Sequence, residues 1–405
     1  MAPKALDGVK ILEFCTTISG AYCAKLMADL GAEVIKIEAP GIGDGARRKP
    51  PFVDDKPDPE KSGLFMYINT SKFGITLDPA KPEGNKIFKQ LVKEVDILIE
   101  DHQPGEMEKM GLGYIALKEI NPGLIMTAIT PFGQTGPYKN YKAYQLNISQ
   151  ISGQGHLLPM IAPDLERPPV KVGGNSGNFD PGLVASIAVM AALFYKGKTG
   201  KGQYIGMSKM EALMSMQRVE SVTFPNSGVS MSRAGMAQRR TPDGVMPCKD
   251  GFVVVVTPQE HQWKSFMKLI GDPPWSKEEW CDNRIKRADN VERIKEPILE
   301  WMKERAKEEI FRKGQVLSVP VAPMNTAKDV VESPQFNARN FFIKTEHPAV
   351  GKVDKFPSSP YRFSKTPWAI YRPAPLLGEH NEKIYCQWLG YTTEDLKKLK
   401  ESETI

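Results

Sequence analysis

The sequence predicts an α/β protein, built as a large Rossmann-like open-sheet domain with a smaller α/β domain. Near the N-terminus, Val9–Phe14 is an apolar, β-prone run, Ser19–Leu30 carries Ala, Leu and Met at helical spacing, and Ala32–Ile37 is strand-like again, which makes a β-α-β unit. Further on, the strand-like run Leu124–Thr130 enters a loop punctuated by Gly and Pro, Pro131–Tyr138, and loops at strand C-termini are where open α/β sheets bind ligands. A chain of 405 residues, 41% hydrophobic and 25% charged, has the size and composition of roughly two globular domains.

The remaining elements follow in order. Gly41, Gly43 and Gly45 do not form the dinucleotide fingerprint, since no helix follows them at the right spacing, so no nicotinamide cofactor is expected. Asn85–Val95 is an amphipathic helix and Asp96–Glu100 a short buried strand. The Gly- and Asn-rich stretch Gly174–Leu183 runs into the small-residue apolar helix Val184–Phe194. Backbone can approach a ligand closely there, and free N–H groups at the helix N-terminus favour an anion. Within this stretch Asp180-Pro181 reads as an N-cap followed by a first helical residue. Gln203–Met207 is the next strand and Lys209–Met216 the next helix. The smaller domain is expected over 224–324, with strand Phe252–Val256, helix Gln259–Ile270, a connection through Trp275 and Trp280, and helix Val291–Arg305. Trp275, Trp280 and Trp301 read as packing residues. Residues 1–223 then form the first part of the large domain.

Composition excludes several classes. A net charge of +6 with no interleaving of basic and aromatic residues argues against a nucleic-acid groove and fits a polyanionic small molecule better. No apolar run reads as approaching the roughly 20 residues that span a bilayer, and no leader pattern opens the chain, so a cytoplasmic protein is expected. Five cysteines without pair spacing read as reduced, and the five histidines never fall at metal-ligand spacing, so no metal is expected.

Several segments together give a resemblance. Ala28-Asp29-Leu30-Gly31-Ala32, Val34-Ile35-Lys36-Ile37-Glu38, Gly43-Asp44-Gly45-Ala46-Arg47, the loop Phe132-Gly133-Gln134-Thr135-Gly136-Pro137, the run Lys198-Thr199-Gly200-Lys201-Gly202-Gln203, and Pro375-Leu376-Leu377-Gly378-Glu379-His380 stand in one order along the chain. In these segments the chain resembles the class III CoA-transferases, the formyl-CoA and carnitine CoA-transferase family. The resemblance implies coenzyme A thioesters as substrates, a C-terminal section, 325–405, that returns to the large domain, and a dimer of interlocked rings. It also implies CoA contacts at Lys72, Lys109, Lys142, Gly133 and Gln134, and a loop at Arg239 and Arg240 that closes over the reacting thioester. Asp101-His102-Gln103 departs from the family's Asn, aromatic and Arg before Pro-Gly. Tyr144-Gln145 stands where racemases of the same fold carry His-Asp, and neither residue is a natural base at neutral pH, which disfavours epimerisation.

The family's nucleophile is an aspartate four residues before the glycine that is Gly182 here, and that place is held by Asn178. A CoA-transferase of this kind needs a carboxylate that attacks the donor thioester, passes through a mixed anhydride and becomes an enzyme–CoA thioester. An asparagine amide has no anionic oxygen for that step. Three readings remain open. The chain is the non-nucleophilic subunit of a heteromer, resembling the two-subunit arrangement of benzylsuccinate CoA-transferases, with a homologous Asp-bearing partner. Alternatively it is an active homodimer using Asp180, or a non-catalytic CoA-ester binding or regulatory protein.

Overall fold

Strand β1 (Lys10–Phe14) leads into helix α1 (Ile18–Ala28) and strand β2 (Glu33–Glu38), the β-α-β unit expected from the sequence. The structure, a computed structural model, describes residues 3–162, 164–235 and 244–405. It divides into two compact units, Met1–Met160 with Pro168–Arg233 and Phe341–Ile405, and Ile161–Arg167 with Ala234–Asn340.

In the first unit the chain continues through helix α2 (Gly63–Ile68), strand β3 (Lys72–Thr76), helix α3 (Pro82–Lys93) and strand β4 (Ile97–Glu100). Helices α4 (Glu106–Lys109) and α5 (Tyr114–Ile120), strand β5 (Ile125–Thr130), helices α6 (Gln145–Ile151) and α7 (Ser176–Thr199), strand β6 (Tyr204–Ser208) and helix α8 (Lys209–Ser215) follow. The six strands form one parallel sheet in the order β3-β2-β1-β4-β5-β6. Strands β3, β4 and β5 are buried along their whole length, as expected for a parallel sheet covered on both faces. One face of the sheet packs Leu12, Ile35, Ile75 and Leu98 against α3 through Ile87, Phe88 and Leu91. The other packs Ile11, Val34, Ile97 and Ile125 against α1 and α7 through Cys23, Met27, Ala185 and Val189.

The edge strand β3 is closed by the C-terminal section rather than by another strand. His380 exchanges bonds with Gly74, Asn381 Oδ1 accepts the Thr76 N–H at 2.9 Å, and the buried Tyr385 hydroxyl donates to the Thr76 carbonyl at 2.6 Å. A two-stranded hairpin of the same unit, β10 (Phe342–His347) and β11 (Gly351–Pro357), precedes this section.

The second unit is built on an antiparallel sheet of β7 (Gly244–Cys248), β8 (Gly251–Val255) and β9 (Val321–Pro323), in the order β9-β8-β7. Trp263 and Phe266 of α9 (Glu260–Leu269), Ile294, Ile298 and Met302 of α10 (Val291–Lys303) and Ile310 of α11 (Lys307–Val316) fill its core. Trp275, Trp280 and Trp301 pack against that core.

One expectation about membranes needs correcting. Helix α7 has 24 residues and is apolar enough to cross a bilayer by length and composition. Its environment differs: Ala185, Val189 and Ala192 pack on the sheet's core, as in the central helix of a globular protein.

Candidate active site

The chain lays down β1, β2 and β3 in one direction and then returns across β1 to place β4, so the order reverses between β1 and β4. Connections leave that point on opposite sides and open a crevice beyond the strand C-termini. Asp101 spans it: its carboxylate accepts the N–H groups of Thr16 at 2.8 Å and Thr17 at 2.7 Å, satisfying donors at the start of α1. A cavity of about 690 Å³ opens here, with Phe14, Thr16, Gly41, Lys81, His102 and Lys400 among its walls.

His102 lies over Phe14 with ring centroids 4.1 Å apart, its backbone N–H donates to Glu100 Oε2 at 2.7 Å, and its ring Nδ1 stands 3.6 Å from the same oxygen. Burial works against a charged imidazole, but the Glu100 and Asp101 carboxylates outweigh it and raise its pKa above the ordinary value.

Beneath the crevice is a buried belt of charge. Lys36 Nζ bonds Glu13 Oε1 at 2.7 Å and Asp44 Oδ2 at 2.6 Å, while Lys72 Nζ reaches Glu13 Oε2 at 2.7 Å. Burial disfavours the Lys36 charge, yet Asp44, Glu13 and Glu38 hold its pKa well above the usual lysine value. Arg47 forks onto Glu38 at 2.7 and 2.8 Å and onto Glu60 at 2.7 Å. Gly43, at φ +70°, is required for this packing, because a Cβ there would stand 2.8 Å from Arg47 Cδ. Asp29 is likewise buried, accepting the hydroxyls of Thr70 at 2.9 Å and Ser71 at 2.7 Å and pairing with Lys25. The Gly-Asp-x-x-Arg segment is therefore a structural fastening at the C-terminal ends of the strands, and the Ala-Asp-x-Gly-Ala segment one at the opposite end, where β2 and β3 begin.

This arrangement corrects the expectation for Lys72. Its ammonium is fully buried and bonded to Glu13, the carbonyls of Ala21 and Ile68, and Asn69 Oδ1, so it does not face a ligand in the crevice. Burial pulls its pKa down to about 8, with Glu13 opposing. Lys109 on α4 and Lys142 before α6 are exposed. Gly133, at φ +84°, and Gln134 stand beyond the C-terminal end of β5, with Gln134 beside Gly206 of β6. Arg239 and Arg240 lie outside the described residues.

The N-terminus of α7 is fixed by two close approaches. A Cβ on Gly177 would stand 2.9 Å from Gln145 and Ser149 of α6, and one on Gly182 would stand 2.6 Å from the Ser19 carbonyl of α1. Gln145 Nε2 also donates to the Gly174 carbonyl at 2.8 Å, so Gln145 ties the loop to α6. Asn178 is half-buried in the first turn, its N–H bonded to the Asn175 carbonyl at 2.8 Å. Nearby, the buried Ser176 hydroxyl has no hydrogen-bond partner among the described residues.

The helix begins earlier than the Asp180-Pro181 pair suggested. Asn175 is the N-cap, Ser176 the first helical residue, and Pro181 lies inside the helix. Gly177 and Gly182 let the first turns seat against α6 and α1, and that packing overrides the start signal of proline. Asp180 is thus no cap: its carboxyl makes no hydrogen bond among the described residues, and burial raises its pKa.

Sequence reasoning missed Lys209. It is buried at the start of α8, with Nζ 3.3 Å from Thr17 Oγ1, and burial lowers its pKa against the pull of Asp101. Only the closing of β6 onto β5 brings it there, so no local pattern marks it. Among the described residues, no group of three or more His, Cys, Asp or Glu side chains is placed to hold a metal ion.

The human succinyl-CoA:glutarate CoA-transferase is 32% identical over 98% of this chain and 89% of its own length. The formyl-CoA:oxalate CoA-transferase of Rhodopseudomonas palustris is 29% identical over 99% of this chain and 97% of its own. The crystal structure of a CAIB/BAIF family protein from Brucella suis superposes with a TM-score of 0.83 at 30% identity, covering 95% of this chain and 99% of that one. The family model described as CoA-transferase family III matches residues 6–381. With that match running through both strands of the crevice, α7 and most of the C-terminal section, the chain belongs to CoA-transferase family III.

Proposed function

We propose that this chain is the non-nucleophilic subunit of a heteromeric CoA-transferase that moves CoA between carboxylic acids, with succinyl-CoA as a donor. Asn178 at the place of the family nucleophile, inside the first turn of α7, is the observation that carries this reading. The nucleotide end of CoA would lie in the β1/β4 crevice, a cavity of about 690 Å³ that suits such a ligand. Gly133 and Gln134 beyond β5, and the exposed Lys109 and Lys142, are its further contacts. Free N–H groups at the start of α7 and the Ser176 hydroxyl would polarise the thioester carbonyl.

Turnover needs more than polarisation. A carboxylate must add to the thioester carbon and expel CoA thiolate, giving a mixed anhydride. The thiolate then attacks the enzyme's acyl carbon, releasing the donor acid and leaving an enzyme–CoA thioester for the acceptor. Asn178 supplies no such oxygen, so turnover belongs to the site of a homologous Asp-bearing chain, interlocked with this one as the family resemblance implies.

The unbonded carboxyl of Asp180 supports a second reading, an active homodimer using that residue. Helix geometry weighs against it. Two residues along an α-helix turn the side chain by about 200°, away from the face that Asn178 presents.

Intact mass spectrometry of the chain incubated with succinyl-CoA separates these readings. Native chain is expected to gain no CoA adduct, and Asn178→Asp is expected to gain one. An adduct on native chain that disappears in Asp180→Ala would establish the homodimer reading instead.

A further inference from the structure

Among the described residues the buried lysines are Lys25, Lys36, Lys72 and Lys209. The first three are held by carboxylates: Lys25 by Asp29, Lys36 by Glu13 and Asp44, and Lys72 by Glu13. Lys209 is the exception. Its ammonium donates to the Thr17 hydroxyl oxygen at 3.3 Å and has no carboxylate at ion-pairing distance among the described residues. Asp101, whose charge acts on it most, is occupied by the N–H groups of Thr16 and Thr17. A buried ammonium so placed has hydrogen-bonding capacity that the fold does not fill.

Its position adds to this. Thr17 is the N-cap of α1, so the ammonium stands at the positive end of that helix's dipole, where a cation is disfavoured. The N–H groups of Ile18, Ser19 and Gly20, in the first turn, have no acceptor within the helix. The Ser19 hydroxyl is fully buried and meets no hydrogen-bond partner among the described residues. Unfilled donors and a positive charge without an ion pair therefore meet at the start of α1. An anion satisfies both.

The place of this site points to the acyl end of the ligand. Lys209 is not among the walls of the cavity assigned to the nucleotide end. Gly182 of α7 packs against the Ser19 carbonyl, and Asn178 lies about one helical turn before Gly182. We infer that Lys209 binds the distal carboxylate of a dicarboxylic acyl group, with the Ser19 hydroxyl and the α1 N-terminus as further donors, while the thioester carbonyl stands at the α7 N-terminus. The inference rests on the reading of succinyl-CoA as a donor, and it names the residue that distinguishes such a thioester from an uncharged one of equal length. Lys209 makes and breaks no bond: it supplies the partner without which a carboxylate would lose its hydration uncompensated.

Calorimetric titration of the full chain with succinyl-CoA, butyryl-CoA and free CoA tests this. The two acyl chains have the same length and differ in the terminal carboxylate. Succinyl-CoA is expected to bind at least about tenfold tighter than butyryl-CoA, the effect of a hydrogen bond to a charged group. Lys209→Met should remove that preference by weakening succinyl-CoA alone, and Lys209→Gln serves if the methionine variant does not fold. Equal affinity of native chain for the two thioesters overturns the inference, as does a preference that survives in a folded variant. An equal fall for succinyl-CoA, butyryl-CoA and free CoA would place the charge against the CoA portion and overturns it too. Failure of native chain to bind any of the three overturns the CoA-site reading and the inference with it.

Discussion

Gly182 of α7 lies against Ser19 of α1 so closely that a Cβ at position 182 would stand 2.6 Å from the Ser19 carbonyl oxygen and 3.2 Å from the Tyr22 ring. Backbone carbonyl is the obstacle, so no side-chain rotation relieves it. The first turn of α7, with Asn178 in it, is therefore located by a contact that only glycine allows.

Gly182→Ala is expected to destabilise the chain by about 1–3 kcal/mol, the usual cost of overpacking, although alanine is the better helix former. Urea denaturation checks this. A variant as stable as the native chain would show that α7 can shift along α1 freely.

Lys72→Met should act on folding rather than on ligand contacts. Removing one partner from a buried ion pair typically costs about 3–5 kcal/mol, because the other charge stays buried. Glu13 would keep Lys36 as a partner, which places the expected loss toward the lower figure. Equilibrium unfolding gives the loss directly, and a stability unchanged within error contradicts the buried-belt account.

Two histidines should titrate on opposite sides of the ordinary value of 6.5. His102 is raised by Glu100 and Asp101 against burial, whereas His347 is lowered by burial. The stability His102 contributes is fully present below its unfolded pKa and is lost as pH rises through the higher folded one. For His347 the sign reverses: its contribution is present above the unfolded pKa and is lost as pH falls through the lower folded one. Imidazole NMR resolves both midpoints, and Glu100→Gln should bring that of His102 down. A His102 midpoint unmoved by that substitution contradicts the assignment.

Asp180→Asn placed in the Asn178→Asp background should leave the rate of CoA-adduct formation within about twofold, since position 180 is turned about 200° from 178 on the helix. Stopped-time mass measurements report that rate. A tenfold fall would bring Asp180 into the chemistry.

The fold was legible because its signals are local. Ile11 and Leu12 on β1, the helical spacing of Cys23 and Met27, and the apolar run of β5 each need only a window of neighbouring residues. The assignment of Asn178 came by another route, the family resemblance, counting back from Gly182. The role of Lys72 was not, since its burial depends on Glu13, which no helix or strand period links to it. The start of α7 was misread because Asp180-Pro181 carries a valid local signal that the contacts of Gly177 and Gly182 override. The place of Lys209 arises only when distant segments meet.

The fastening of β3 by His380, Asn381 and Tyr385 has a consequence for biosynthesis. These residues leave the ribosome some three hundred positions after the strand they close. Until then a nascent chain carries an open sheet edge with unpaired N–H and C=O groups, the kind of surface that pairs with other chains. Folding of the large unit is thus completed after translation of the intervening second unit, and a holdase that shelters β3 in that interval should raise the yield of native protein.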